Sequence, residues 1–149
     1  MMNEANIEKL VNSLNELLEK ANDSLKKIEE LELEVNKYVK EELTSDSDKI
    51  SEKFLKYSIK KIDQALLLYD IYNKGITVIN KLIVSDGNIS QEIRDFWNQV
   101  NIVIKNEIEE QELLGNYVLD YTKGKKLTEF EKEFIDKTFS GIAKIKNKE

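Results

Sequence analysis

An all-α fold, an elongated antiparallel bundle of about four helices, is what this chain predicts, and three observations carry the prediction. Its 149 residues contain no proline and only five glycines, with Leu, Ile, Glu and Lys dominant, a mixture that favours long helices over strands or loops. Apolar residues recur at helical spacing along nearly the whole length. The stretch Ala65 to Tyr72 surrounds a helix with apolar side chains almost completely, so that helix has to be covered on two faces. The length suits a single helical-bundle domain over 1–149.

The first helix is predicted over about 6–42. Ile7, Leu14, Ala21, Ile28 and Val35 hold one heptad position, and Leu10, Leu17, Ser24, Leu31 and Tyr38 the position three later. A 3.5-residue period sustained over five repeats, with Glu and Lys between, reads as coiled-coil-like contact with an equally long neighbour. Thr44 to Asp48 then stops the helix with side chains that bond their own backbone, and Asp46, Ser47 or Asp48 is the expected cap of the next one.

The second helix, about 48–84, must fold back on the first because the link is short. A turn near Asp46 pairs Ala21 with Tyr72 and Ser24 with Tyr69, small against large. Leu55, Ile59, Ile62, Ala65, Leu66, Tyr69, Tyr72, Ile76, Ile79 and Ile83 form one stripe, and Leu67, Leu68, Ile71, Val78 and Leu82 form another on the opposite side. Gly75 inside this helix marks a bend or a close crossing. Gly87 suits the left-handed residue after the helix.

Asn88 or Ser90 caps the third helix, about 90–121, whose face carries Ile93, Phe96, Trp97, Val100, Val103, Ile104, Ile108, Leu114 and Val118. Gly115 permits a break there. Glu107 and Gln111 interrupt the apolar face, and reflection about the preceding turn sets Glu107 near Leu67 and Gln111 near Asp63 and Gln64, a small polar layer in mid-bundle. After the Lys123 to Lys126 loop, Thr128 and Glu131 have capping-box spacing. The fourth helix, about 128–146, turns Phe130, Phe134, Ile135, Phe139, Ile142 and Ile145 inward, and its Lys-rich end suits the helix dipole.

Net charge is −6 and unevenly spread: residues 1–122 carry 15 basic and 24 acidic side chains, whereas 123–149 carry 8 Lys and 5 acids. Twenty-two lysines stand against one arginine, Arg94, and this acidic, arginine-poor chain argues against nucleic acid as partner. Lys, Ile and Asn in place of Arg, Ala and Pro point to the AT-rich genome of a bacterium or its phage. With no Cys and no His, disulfides, Cys/His zinc sites, thiol catalysis and Ser-His-Asp triads are excluded. No apolar run approaches the ~20 residues of a membrane span. The acidic start leads into no apolar segment of the secretory kind, so a cytoplasmic protein is expected.

No catalytic residue, metal site or cofactor is predicted, and the expected function is a non-enzymatic protein-interaction module, an adaptor, inhibitor or assembly component. Its candidate surface is Leu67, Leu68, Ile71, Val78 and Leu82, with Phe96 and Trp97 as an aromatic anchor beside Arg94. Two coverings compete for that stripe: helices three and four of the same chain, or a protein partner or second copy. One alternative function is a Mg-dependent all-α nucleotide pyrophosphohydrolase, because Glu107 to Glu110 and Glu133 to Asp136 fit the loose spacing of a four-acid Mg²⁺ site. Glu133 and Asp136, however, fall on the polar side of their helix. A membrane-active protein whose amphipathic helices open against lipid is a second alternative.

Overall fold

The computed structural model describes residues 4–44, 50–85 and 89–146. They form four helices, α1 Glu4–Thr44, α2 Glu52–Val84, α3 Gln91–Tyr121 and α4 Glu129–Lys146, and among the described residues there is no strand. At 1.5 Å per residue α1 is about 60 Å long, which makes the bundle elongated.

The starts of α2, α3 and α4 are each set by a side chain that satisfies orphan backbone donors. Ser51, rather than a residue of 46–48, caps α2: its hydroxyl accepts from the Phe54 N–H at 3.4 Å, and its own N–H donates to Glu42 Oε2 at 2.9 Å. The last turn of α1 is thereby tied to the first of α2. Asp46, Ser47 and Asp48 lie outside the described residues, as do Gly87 and Asn88. Ser90 caps α3 by accepting from the Ile93 N–H at 3.3 Å. The expected capping box of α4 is complete, with Thr128 N–H on Glu131 Oε1 at 2.8 Å and Glu131 N–H on Thr128 Oγ1 at 3.1 Å. Gly124 takes the left-handed conformation, φ 77°, in the turn between α3 and α4.

Helix α2 is the hub. It packs on α1, α3 and α4, and α3 packs on α4, with α1 and α2 sharing the most extensive contact. Leu68, Ile71 and Leu82 are therefore buried inside the chain, at 0%, 6% and 4% exposure. Near the turn the α1/α2 register runs as expected, bringing Glu42 to Ser51 and Glu32 to Lys61. Further away it is kept closely, since Ser13, Glu16, Leu17 and Lys20 share a groove with Asn73, Lys74, Thr77 and Val78, and the Ser24 hydroxyl donates to the Gln64 carbonyl at 3.3 Å.

Helix α3 runs through Gly115 without a break. The glycine serves close approach, since a Cβ there would sit 3.0 Å from Thr138 and Phe139 of α4. Gly75 has the same use on the other side, because a Cβ would lie 2.5 Å from Cζ2 of the Trp97 ring. The indole rests on bare backbone and meets the Tyr72 ring edge-on at 6.1 Å. At this point the expected register is nearly kept, since it opposes Trp97 to Thr77, two residues from Gly75. Further along the pair it departs by five to six residues: Glu107 meets Lys61 and not Leu67, and Gln111 meets Ser58 and not Asp63 or Gln64.

The apolar interior is divided. One cluster joins Leu14, Leu17, Ala21 and Ile28 to Leu68, Ile71, Ile79, Trp97, Val100, Ile104 and Ile142. The other gathers Val35, Phe54, Leu55, Ile59, Val118 and Phe134 near the α1/α2 turn. Between them in sequence lie Lys61 on α2 and Gln111 on α3, with Glu107 one residue before Ile108 at the end of the first cluster; all three are buried and polar.

Candidate functional site

Lys61 is the centre of this polar layer. Its side chain is completely buried, and its ammonium lies 3.1 Å from Glu110 Oε2, 3.3 Å from Glu107 Oε2 and 4.0 Å from Glu32 Oε1. Three helices thus converge on one cation: α2 supplies the Lys, α3 two carboxylates one turn apart, and α1 the third. Lys61 donates a directed hydrogen bond to Glu110. Towards Glu107 the contact is one of charge, and Glu107 Oε2 has no directed donor. One turn on, Gln111 donates from Nε2 to the Ser58 carbonyl at 3.5 Å, while Gln111 Oε1 and Ser58 Oγ are buried without a hydrogen-bond partner.

Burial raises the Glu107 carboxyl, Lys61 pulls it down, and Glu110 and Glu32 push it up again. The result is a rise from 4.5 to about 7, so this acid is partly protonated at neutral pH. The oxygens of Glu32, Glu107 and Glu110 lie within 4.8 Å of one another, the spacing of a metal-binding group. Lys61 approaches all three, so an ammonium already supplies the positive charge that an ion would bring. Glu133 and Asp136 do not belong to this group. Glu133 is half exposed and pairs with Lys137 at 3.7 Å along α4, and both acids line an open surface groove with Glu129 and Phe130. The four carboxylates of the pyrophosphohydrolase alternative are not assembled into one set.

One heptad along all three helices the junction changes character. Glu32, Lys61 and Glu107 give way to Val39, Phe54 and Leu114, which with Glu42, Leu113 and Tyr117 line a cleft of about 200 Å³. Phe54 is 1% exposed, whereas Leu113 is 72% exposed at the edge. Burial, then Glu42 and Tyr121, raises the Tyr117 phenol above its ordinary 10.0. The cleft is apolar with a carboxylate at its rim.

Of the residues singled out as a partner surface, Leu68, Ile71, Leu82 and Trp97 are buried. Val78 and Phe96 are partly buried and pack on the same core. Leu67 alone remains substantially exposed, at 47%. The sequence reading did not single out Lys61, although a signal was available: it precedes Leu68 by two turns and falls about 20° from it on a helical wheel. Glu32 had no such mark, being one acid among many on α1.

No protein-family model, curated protein or solved structure matches this chain. Function therefore rests on the site itself. No described helix is long and apolar enough to cross a membrane.

Proposed function

We propose that the chain is a non-enzymatic protein-interaction module, an adaptor, inhibitor or assembly component, that engages its partner through the seam between α1 and α3. The observation that carries this reading is Leu113, a large apolar side chain 72% exposed at the edge of an apolar cleft whose floor is the buried Phe54. An exposed apolar residue beside a preformed apolar recess is the arrangement that buried anchors of a partner fill. The surface differs from the stripe on α2, of which Leu68, Ile71 and Leu82 are buried within the bundle, with Ile71 and Val78 beside α1 residues such as Leu17 and Lys20. Lys61 further supports a binding role over a catalytic one, because it lies within ion-pair distance of every member of the carboxylate group.

Affinity capture from the source cells tests the reading, with the wild type compared with Leu113→Glu and with Glu19→Lys on the exposed side of α1. The expected result is one partner retained by wild type and Glu19→Lys and lost by Leu113→Glu, all three having the same circular dichroism. A partner set indifferent to Leu113 refutes the assignment of the surface, and hydrolysis of nucleoside triphosphates with Mg²⁺, lost in Glu107→Gln, refutes the non-enzymatic reading.

A further inference from the structure

The cleft and the charge layer lie one after the other along the same three helices. From Glu32 to Val39, from Lys61 to Phe54 and from Glu107 to Leu114 the step is seven residues in each case, so the same three helices line both. The two ends are about 10 Å apart at the rise of an α-helix. At one end, three carboxylates share a single ammonium. Lys61 and Glu107 are buried, but the Glu32 and Glu110 side chains are 44% and 36% exposed, so the excess negative charge is presented to solvent. At the other end lie the apolar cleft and the exposed Leu113, with Glu42 beside them. Acid and apolar surface alternate at a two-turn spacing, which is the repeat along one face of a helix.

We propose, extending the interaction reading above, that this surface takes a basic amphipathic helix of another protein. An apolar side chain of that helix occupies the cleft between Val39, Phe54 and Leu114, and a lysine or arginine two turns along it lies over Glu32 and Glu110. Charge complementarity selects this occupant. The interior cation position is held by Lys61, so what the layer lacks is positive charge at its solvent side, and a net charge of −6 favours the approach of a basic partner.

The test is a selection from displayed peptides of about 18 residues, five helical turns, built on an alanine and glutamine frame and randomised on one face. Wild-type protein is the bait. The expected winners carry a large apolar residue with Lys or Arg seven positions away. They bind Leu113→Glu at least tenfold more weakly, lose about tenfold to Glu110→Lys at low salt, and weaken as salt rises. Glu32→Lys probes the same rim from α1 and serves if Glu110→Lys does not give the wild-type circular dichroism spectrum.

Winners that lack basic residues, or that ignore both rim variants, overturn the proposed partner class. Helices that bind but ignore Leu113 overturn the assigned surface while leaving the interaction reading intact, and a selection that enriches nothing overturns both. Wild-type self-association abolished by Leu113→Glu assigns the surface to a second copy and overturns the proposal. So does a melting temperature raised by MgCl₂ alone in wild type but not in Glu110→Gln, because the carboxylates then serve a divalent ion.

Discussion

Replacing Glu107 by glutamine isolates the energetic consequence of the charge layer. The folded chain holds the Glu107 proton up to about pH 7, whereas the ordinary value is 4.5. Below 4.5 both folded and unfolded states are protonated, and the group contributes no pH dependence. Between 4.5 and 7 the unfolded chain releases the proton and the folded chain retains it, so stability falls as pH rises; above 7 both are ionised and the loss is complete. The difference of two and a half pH units corresponds to about 3 kcal/mol at 1.36 kcal/mol per unit. The amide of the variant keeps the shape of the carboxyl and cannot titrate.

Urea unfolding of both proteins, followed by circular dichroism from pH 4.5 to 8.5, checks this. Subtracting the variant removes the contribution of the other carboxylates. Relative to wild type, Glu107→Gln is expected to gain about 3 kcal/mol between the two ends of the range, or about 1.5 M in urea midpoint for a slope near 2 kcal/mol/M. Parallel stability curves would refute the reasoning, because they would mean that Glu107 ionises in the folded state as it does in the unfolded chain.

Lys61→Met leaves Glu107 without its opposing charge and is expected to lower stability by about 3–5 kcal/mol at pH 8, and by less at pH 5, where Glu107 carries its proton; equal losses at both values contradict the charge pairing. Gly75→Ala drives a methyl to 2.5 Å from the Trp97 ring. Overpacking of about 1–3 kcal/mol should exceed the gain of about 1 kcal/mol in helix propensity, and a higher melting temperature would show that the indole does not rest against Gly75. Thr128→Ala removes the hydroxyl that accepts from Glu131 N–H and should cost about 1 kcal/mol, roughly 2–4 °C in melting temperature for a chain of this size.

How far such features can be read from a sequence depends on whether they are local. The capping box of Thr128 and Glu131 involves residues three apart, and so does the Ser90 cap, so chain order already contains both. The polar character of α3 at Glu107 and Gln111 is equally visible, since two hydrophilic residues interrupt an otherwise apolar face. Their partners are not. Which residue of α2 meets Glu107 depends on how the two helices cross and on how far the long side chains of Lys61 and Glu107 reach along the seam. A reflection about the loop contains neither term, so it comes within two residues at Trp97 and Gly75 and misses by five to six at Glu107 and Gln111. The cap of α2 escaped for a related reason: Ser51 is selected by the long-range bond from its N–H to Glu42, which a scan for capping residues after α1 does not contain. The apolar stripe on α2 showed that this helix needs covering on two sides, but the wheel set Ile71 and Val78 opposite the α1 seam, whereas both line grooves with α1 residues such as Leu17 and Lys20.

The indole packed on Gly75 is also the only tryptophan in the chain. At 2% exposure, with Nε1 buried and without a hydrogen-bond partner, it is excited in an environment of low polarity, so native fluorescence should be blue-shifted and should move to the red when α2 and α3 separate. Tyr38 and Tyr57, stacked at 5.6 Å across the α1/α2 pair, sit in the other apolar cluster, and the difference in near-ultraviolet signal between wild type and Tyr57→Phe reports on that cluster. The molecule thus carries two native optical reporters on opposite sides of its buried charge layer. Thermal or denaturant curves recorded at the two wavelengths show whether the apolar clusters melt as one cooperative unit or whether the layer of Lys61 and Glu107 lets them part in sequence.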